Sequence, residues 1–324
     1  MKALGIFFLF STASAAPQLV TLTGIQHEYQ GYNNCGPTTL GMYLSYWGSP
    51  LRQQNIAPIL KPNTQDKNVS PQQIVKYVQS KGFKVHHGLA GNSGTLKQLL
   101  AARIPVMVET WMEDPTEGGM GHYRLLVGYN DKAGHFLAHD SYLGPNLKLP
   151  YRQFDQRWQV FNRTFLVVYP RSQAKKIETL LSWRTSSIRT RKHALKVALT
   201  ETRSTPGNPY AWFNLGSTLT RLNSPISALK AFRKAEKLGL PERMLWYQFE
   251  PFQAYSQQKQ PQKVLQLARQ VLRKAPDHEE ALYWRGQAHL QLNQKSAAKQ
   301  SFRQALKFRP TFGRAQEALK GTEG

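Results

Sequence analysis

The sequence predicts a two-part protein, an α+β domain followed by an all-α helical-repeat solenoid. Strand-like segments are confined to residues 105–169 and come after helix-patterned ones, which is the order of an α+β domain rather than of alternating βαβ units. After about residue 171 the strand signals vanish and a self-similarity of roughly 34 residues replaces them. Charge divides at the same place: residues 17–170 hold 14 basic and 9 acidic side chains, residues 171–324 hold 28 and 10. The net charge of +24 suits anionic partners such as acidic proteins, phosphate-bearing polymers or lipid head groups. A solvated, charged helical surface gives the same count without any specific partner.

With 40% hydrophobic and 11% aromatic residues, the 324-residue chain is neither collagen-like nor mostly disordered. Its single cysteine, Cys35, excludes an intramolecular disulfide and a multi-cysteine metal site. Met1-Lys2, the apolar run Ala3 to Phe10 and the small-x-small pair Ala13 and Ala15 read as a signal peptide over residues 1–16, cut at Ala15–Ala16. The run is too short to span a bilayer, no cysteine follows it to carry a lipid anchor, and no later segment is long and apolar enough to span. The expectation is an exported chain, secreted or held in the cell envelope. Its domains are expected at 17–170 and 171–324, joined near 170–188.

The first helix is expected over Gly36 to Trp47, where Met42, Tyr43, Tyr46 and Trp47 share a face and Gly48 ends it. Ser70-Pro71-Gln72-Gln73 combines a Ser cap, a first-turn proline and a reciprocal Gln, opening a helix to about Lys81. Thr95 caps a short helix to about Ala102. Strands follow at Pro105–Glu109, Tyr123–Tyr129, His135–His139 and Thr164–Tyr169. In the second half, Trp212, Leu215, Gly216, Leu219, Ala228, Phe232 and Ala235 form one repeat. Leu282, Gly286, His289, Ala298, Phe302, Ala305 and Pro310 form another. Residues 243–278 hold a weaker copy, with Phe252 where a small glycine is expected, and 189–206 a trailing half.

Cys35 immediately precedes the first helix, where unpaired N–H groups and the helix dipole stabilise a thiolate. A lone cysteine is more often a small buried hydrophobe. A nucleophile also needs a base brought close by the fold and a third group to orient that base. His122 opens the strand Gly121–Tyr129 and Asp140 ends the next one. An antiparallel hairpin through Asn130–Gly134 would set the two side by side.

Four segments in this order carry a resemblance: His27-Glu28-Tyr29-Gln30 through Gly41, then Gly121-His122-Tyr123, then Asp140-Ser141-Tyr142-Leu143-Gly144-Pro145, and the later Phe154 and Trp158. Residues 17–170 resemble the papain-like cysteine peptidases of family 39, the bacteriocin-processing or double-glycine-leader type, in their exported branch. Residues 171–324 resemble tetratricopeptide repeats. The resemblance implies Cys35 as nucleophile, His122 as general base and then acid, and Asp140 as the residue orienting His122. It also implies Gln30 as side-chain donor of an oxyanion hole completed by the Cys35 N–H. Gln30 lies five residues before Cys35, one closer than in the transporter-linked members, and Gln26 is a poor substitute at nine.

No cofactor is implied. A metal site from His86, His87, His135 and His139 lacks a recognised spacing, and the pair His86-His87 is expected at the surface. His139 alternates to the strand face opposite Asp140, and His27 is a candidate site-lining residue. Trp111 and Glu113–Gly119 read as a mobile loop beside the cleft or as a plain connection. The expected function is an exported cysteine peptidase or amidase acting through a thioester on a peptide or protein substrate. Its basic repeats would bind substrate, an acidic protein or an anionic envelope partner. The alternative is a catalytically silent papain-like scaffold whose repeats bind acidic peptides or proteins. The positive field alone permits nucleic-acid binding, but no recognition motif supports it.

Overall fold

The computed structural model describes residues 17–113, 118–182 and 186–322; the expected signal peptide lies outside these residues. In chain order the first domain comprises β1 (Leu19–Thr21), α1 (Cys35–Tyr46), α2 (Gln53–Leu60), α3 (Pro71–Ser80), β2 (Lys84–Gly88), α4 (Ser93–Ala101), β3 (Val106–Met112), β4 (Met120–Asn130), β5 (His135–Asp140), β6 (Gly144–Pro150), α5 (Tyr151–Gln159) and β7 (Phe165–Tyr169). Six strands form one antiparallel sheet in the order β2-β7-β3-β4-β5-β6, and β1 pairs with the far end of β4. β1 approaches so closely that a Cβ on Gly128 would meet the Val20 carbonyl oxygen at 2.2 Å, so only glycine fits there.

Helix α1 lies against this sheet and is buried along nearly its whole length. Leu40, Met42, Tyr43 and Leu44 join Val106, Leu125, Val127 and Val167 in one core. The capping box at Ser70 and Gln73 forms as its sequence dictates. The third helix begins earlier than expected, because Asn92, not Thr95, is its cap: the Asn92 side chain accepts from the Thr95 N–H at 2.8 Å.

From Ala174 onward every described element is helical: α6 (Ala174–Leu180), α7 (Ser187–Ser204), α8 (Pro209–Arg221), α9 (Pro225–Leu238), α10 (Glu250–Gln257), α11 (Pro261–Lys274), α12 (Glu279–Gln291), α13 (Lys295–Phe308) and α14 (Gly313–Lys320). In α8 and α12, Gly216 and Gly286 face Phe232 and Phe302, whose rings would lie 2.6 and 2.4 Å from an added Cβ. Sixteen residues separate each pair, and the same spacing links Phe252 to Ala268, with large and small exchanged. That exchange explains how the middle repeat tolerates an aromatic ring at its glycine position: both residues are fully buried in the repeat core. The first helix of this repeat is broken. Glu242–Trp246 is a short 3-10 turn and α10 starts only at Glu250, so Tyr247, Gln248 and Phe249 stand outside any helix.

The two halves pack together. Trp111, Val160 and Phe161 of the first domain belong to the same buried cluster as Phe213, Phe232 and Trp246 of the repeats. Polar bonds stitch the seam: Asn214 and Gln248 donate to the carbonyls of Gln159 and Val160, and Asn63 donates to Asp277.

Candidate active site

The chain reaches Cys35 through a tight loop. Asn33 adopts a left-handed φ of 53°, which asparagine tolerates better than most residues, and Cys35 is the first residue of α1. Helix α2 grips this loop from both ends. Gln53 at its start accepts from the Gly31 N–H (2.8 Å), the Asn34 side chain and the Thr38 hydroxyl; its own amide donates to Glu28 (2.8 Å) and the Tyr29 carbonyl (2.7 Å). Just beyond its other end, buried Lys61 donates to the carbonyls of Tyr32 and Thr64 at 3.0 and 2.9 Å. Neither residue carries a recognisable signal in the sequence, because their role exists only once α2 folds back on the loop.

The hairpin joining β4 to β5 sets Arg124 opposite Asp140, with His122 two residues earlier on the same face. His122 Nε2 lies 3.0 Å from Asp140 Oδ1, and Arg124 Nε donates to Oδ2 at 2.8 Å. The N–H groups of Tyr142 and Leu143 also bond to Oδ1, at 2.8 and 2.9 Å, so the carboxylate is fully engaged and fully buried. Arg124, which the sequence reading did not single out, in turn donates to the Thr110 hydroxyl. Cys35 and His122 also interact, each favouring the charged form of the other.

Electrostatics follow this geometry. Burial opposes the Cys35 thiolate, but the His122 hydrogen bond and charge, with the backbone N–H groups of Tyr123 and Gly36, outweigh it and hold the thiol below its ordinary value. Burial likewise opposes the His122 cation; the bonds to Asp140 and Cys35 overcome it and raise the imidazole. Asp140 is desolvated too, yet His122, Arg124 and the Leu143 N–H keep it far below the usual carboxylate range. Both shifts run toward the thiolate–imidazolium pair, the form in which a cysteine attacks a carbonyl.

Gln30 is anchored beside Asp140, not on Cys35. Its backbone N–H donates to the Ser141 carbonyl (2.8 Å) and its side-chain oxygen accepts from the Ser141 hydroxyl (2.7 Å). That leaves its amide nitrogen as the free end; among the described residues no hydrogen bond joins it to Cys35. Gln26 is drawn off to Arg52. His27 approaches from outside, its Nε2 2.9 Å from the Asp140 carbonyl oxygen, and its ring meets His139 edge-on.

The expected surface position of His86-His87 is overturned. Both lie in β2, which is paired with β7, and burial with the Arg221 charge lowers His87 to about 3. Three strands separate β2 from β5, so His86 and His87 do not converge with His135 and His139. The metal-ligand side chains that do come together among the described residues are in the repeats: His278, Glu279 and Glu280 offer atoms within 4.8 Å of one another. Arg309 bonds to both carboxylates there.

Comparison with known proteins agrees with this architecture. Residues 17–165 match the Peptidase C39-like family, and residues 209–238 and 255–321 match tetratricopeptide repeat families. Among solved structures, a protein described as a C39-like peptidase from Bacillus anthracis aligns at 18% identity over 48% of this chain and 99% of its own, with a TM-score of 0.38. A double glycine motif protease from an AMS/PCAT transporter, in complex with its leader peptide, aligns at 15% identity over 49% of this chain and 96% of its own (TM-score 0.34). The MamA RS-1 ArsTM double mutant aligns at 18% identity over 47% of this chain and 82% of its own (TM-score 0.38). No curated protein matches the sequence. The chain thus carries a C39-like peptidase domain at its N-terminus and tetratricopeptide repeats at its C-terminus.

Proposed function

We propose that this protein is an exported cysteine peptidase or amidase in which Cys35 is the nucleophile, His122 the general base and acid, and Asp140 the residue that orients His122. The observation that carries the reading is the meeting of half-buried Cys35 with buried His122, which lies 3.0 Å from Asp140, itself held by Arg124. The thiolate attacks the carbonyl carbon of a peptide or amide. The carbon–nitrogen bond breaks as His122 gives its proton to the leaving amine, leaving a thioester on Cys35. Water then adds to the thioester while His122 takes its proton, the carbon–sulfur bond breaks, and the thiolate returns. The N–H of Cys35 and the amide nitrogen of Gln30 are the donors offered to the oxyanion. Export rests on the sequence of residues 1–16. The repeats supply a surface for a protein substrate or partner, with acidic chemistry favoured by their charge.

The test is alkylation of the full chain with iodoacetamide across pH 4–9, read by intact mass. A thiolate plateau reached well below the ordinary thiol range, and lost in His122→Ala, is the expected result. Alkylation that follows an ordinary thiol and ignores His122 refutes the enzyme reading and leaves the silent scaffold.

A further inference from the structure

A cavity of about 720 Å³ lies between the peptidase sheet and the repeats. Glu109 of β3, Phe161, His87 and Ser70 line it from the first domain, and Tyr247 and Trp284 from the second. Its β3 wall lies one strand from His122. Glu109 pairs in register with Tyr123, the neighbour of His122, and both Glu109 and Tyr247 feel the charge on Cys35. Tyr247 itself lies over Gly121, where an added Cβ would meet its ring at 3.0 Å, and its hydroxyl oxygen is hydrogen-bonded to the backbone there.

The Glu109 carboxyl is the anomaly. It is buried, faces the cavity, and among the described residues has neither a hydrogen-bond donor nor a cation of its own. Of the cations lining the cavity, Arg221 is held by Glu250 at 2.6 Å, Arg309 by Glu279 and Glu280, and Arg314 lies over the rings of Tyr283 and Phe312, while Lys76 is exposed. His87 is kept neutral by burial, so it supplies no positive charge either. Burying an acid without a partner is costly and does nothing for packing that a glutamine or leucine would not do better. A cationic side chain entering the cavity would give Glu109 its missing partner, with Phe161, Tyr247 and Trp284 in the lining to pack along its stem.

We propose that this cavity is a specificity subsite, built jointly by the peptidase domain and the middle repeat, that takes a basic side chain of the substrate and pairs it with Glu109. The inference rests on the cysteine peptidase reading above, and one experiment separates the two. Full-length protein is treated with two peptidyl vinyl sulfones that differ only in carrying lysine or norleucine, and adduct formation on Cys35 is timed by intact mass. Binding of Nα-acetyl-lysine amide and Nα-acetyl-norleucine amide to Cys35→Ser protein is measured by calorimetry in parallel. The lysine probe should react about tenfold faster or more, and only the lysine amide should bind, as expected where a carboxyl whose ionisation is opposed by burial gains a cationic partner. Glu109→Gln should abolish both preferences. Equal rates for the two probes, or a lysine preference that survives Glu109→Gln, overturns the subsite. Lysine amide binding without reaction of either probe overturns the peptidase reading and keeps the site; neither binding nor reaction removes both.

Discussion

Replacing Asp140 by Asn tests the relay at its most constrained point. The carboxylate is fully buried and accepts four hydrogen bonds, from His122, Arg124 and the N–H groups of Tyr142 and Leu143. An asparagine oxygen can retain the two backbone donors. Its amide group then turns toward Arg124, so a guanidinium that is 2% exposed loses the one carboxylate it pairs with among the described residues. Removing one partner of a buried ion pair costs about 3–5 kcal/mol, more than the loss of the His122 bond alone. Urea unfolding at pH 7 should show a deficit of that size, and Arg124→Met combined with Asp140→Asn should recover much of it. The sign with pH is fixed. Asp140 is depressed in the fold, so its contribution is present above the ordinary carboxylate value near 4 and fades as the pH falls through and below it. The deficit of the variant should therefore shrink in acid. In the same variant the imidazolium is no longer supported, and iodoacetamide should see less Cys35 thiolate at pH 6. A deficit under about 1 kcal/mol at pH 7, with an unchanged thiolate titration, refutes the assignment of Asp140 as the anchor of both cations.

Gln53→Leu removes the brace of the loop before Cys35; urea unfolding should show a loss of about 1–3 kcal/mol, and limited proteolysis should cut at residues 28–34 first. Gly286→Ala forces a methyl against the Phe302 ring and should destabilise the repeats by about 1–3 kcal/mol in thermal unfolding, with Cys35 alkylation unchanged. Asp66, raised to about 7 first by burial and then by the charge of Glu280, favours the docked domains in its protonated form. That support is present below about 4 and is lost as the pH rises toward 7, so hydrogen-exchange protection at residues 277–281, taken relative to intrinsic exchange, should fall between about pH 4 and 7, and Asp66→Asn should flatten the change.

The parts of this fold legible in the sequence are those whose cause is local. The Ser70–Gln73 box, the Asn130–Gly134 turn and the glycine–phenylalanine pairs of the repeats each write their geometry into a few residues. So does the position of Cys35 ahead of an apolar helix. What stayed hidden depends on segments meeting. Strand β2 carries His86 and His87 and reads as polar, but is half-buried because β7 pairs with it and Phe165 packs across Gly88. Strand β6, with Pro145, Asn146 and Lys148, has no strand-like alternation and is held by its register with β5. Gln53 and Lys61 look like ordinary surface residues until α2 folds back on the nucleophile loop. Arg124 sits mid-strand in an apolar run, and a buried cation there could have signalled that a buried anion was needed to face it.

The middle repeat is where the two halves of the molecule become one site. In its regular neighbours a glycine lets the paired helices close over a phenylalanine, and the first helix runs unbroken. Here the ring has moved to Phe252, the first helix is interrupted, and the freed residues turn toward the sheet. Tyr247 covers Gly121, Gln248 caps the Val160 carbonyl, and Arg221 and Glu250 pair in the lining of the cavity that Glu109 faces. The departure from the repeat pattern that weakened the sequence match is thus the feature that docks the array on the His122 strand. A repeat array joined only by a linker could bind a partner independently of the thiol. Seated in this way, it forms one wall of a cavity whose other wall carries Glu109, and any ligand filling that cavity touches both halves at once.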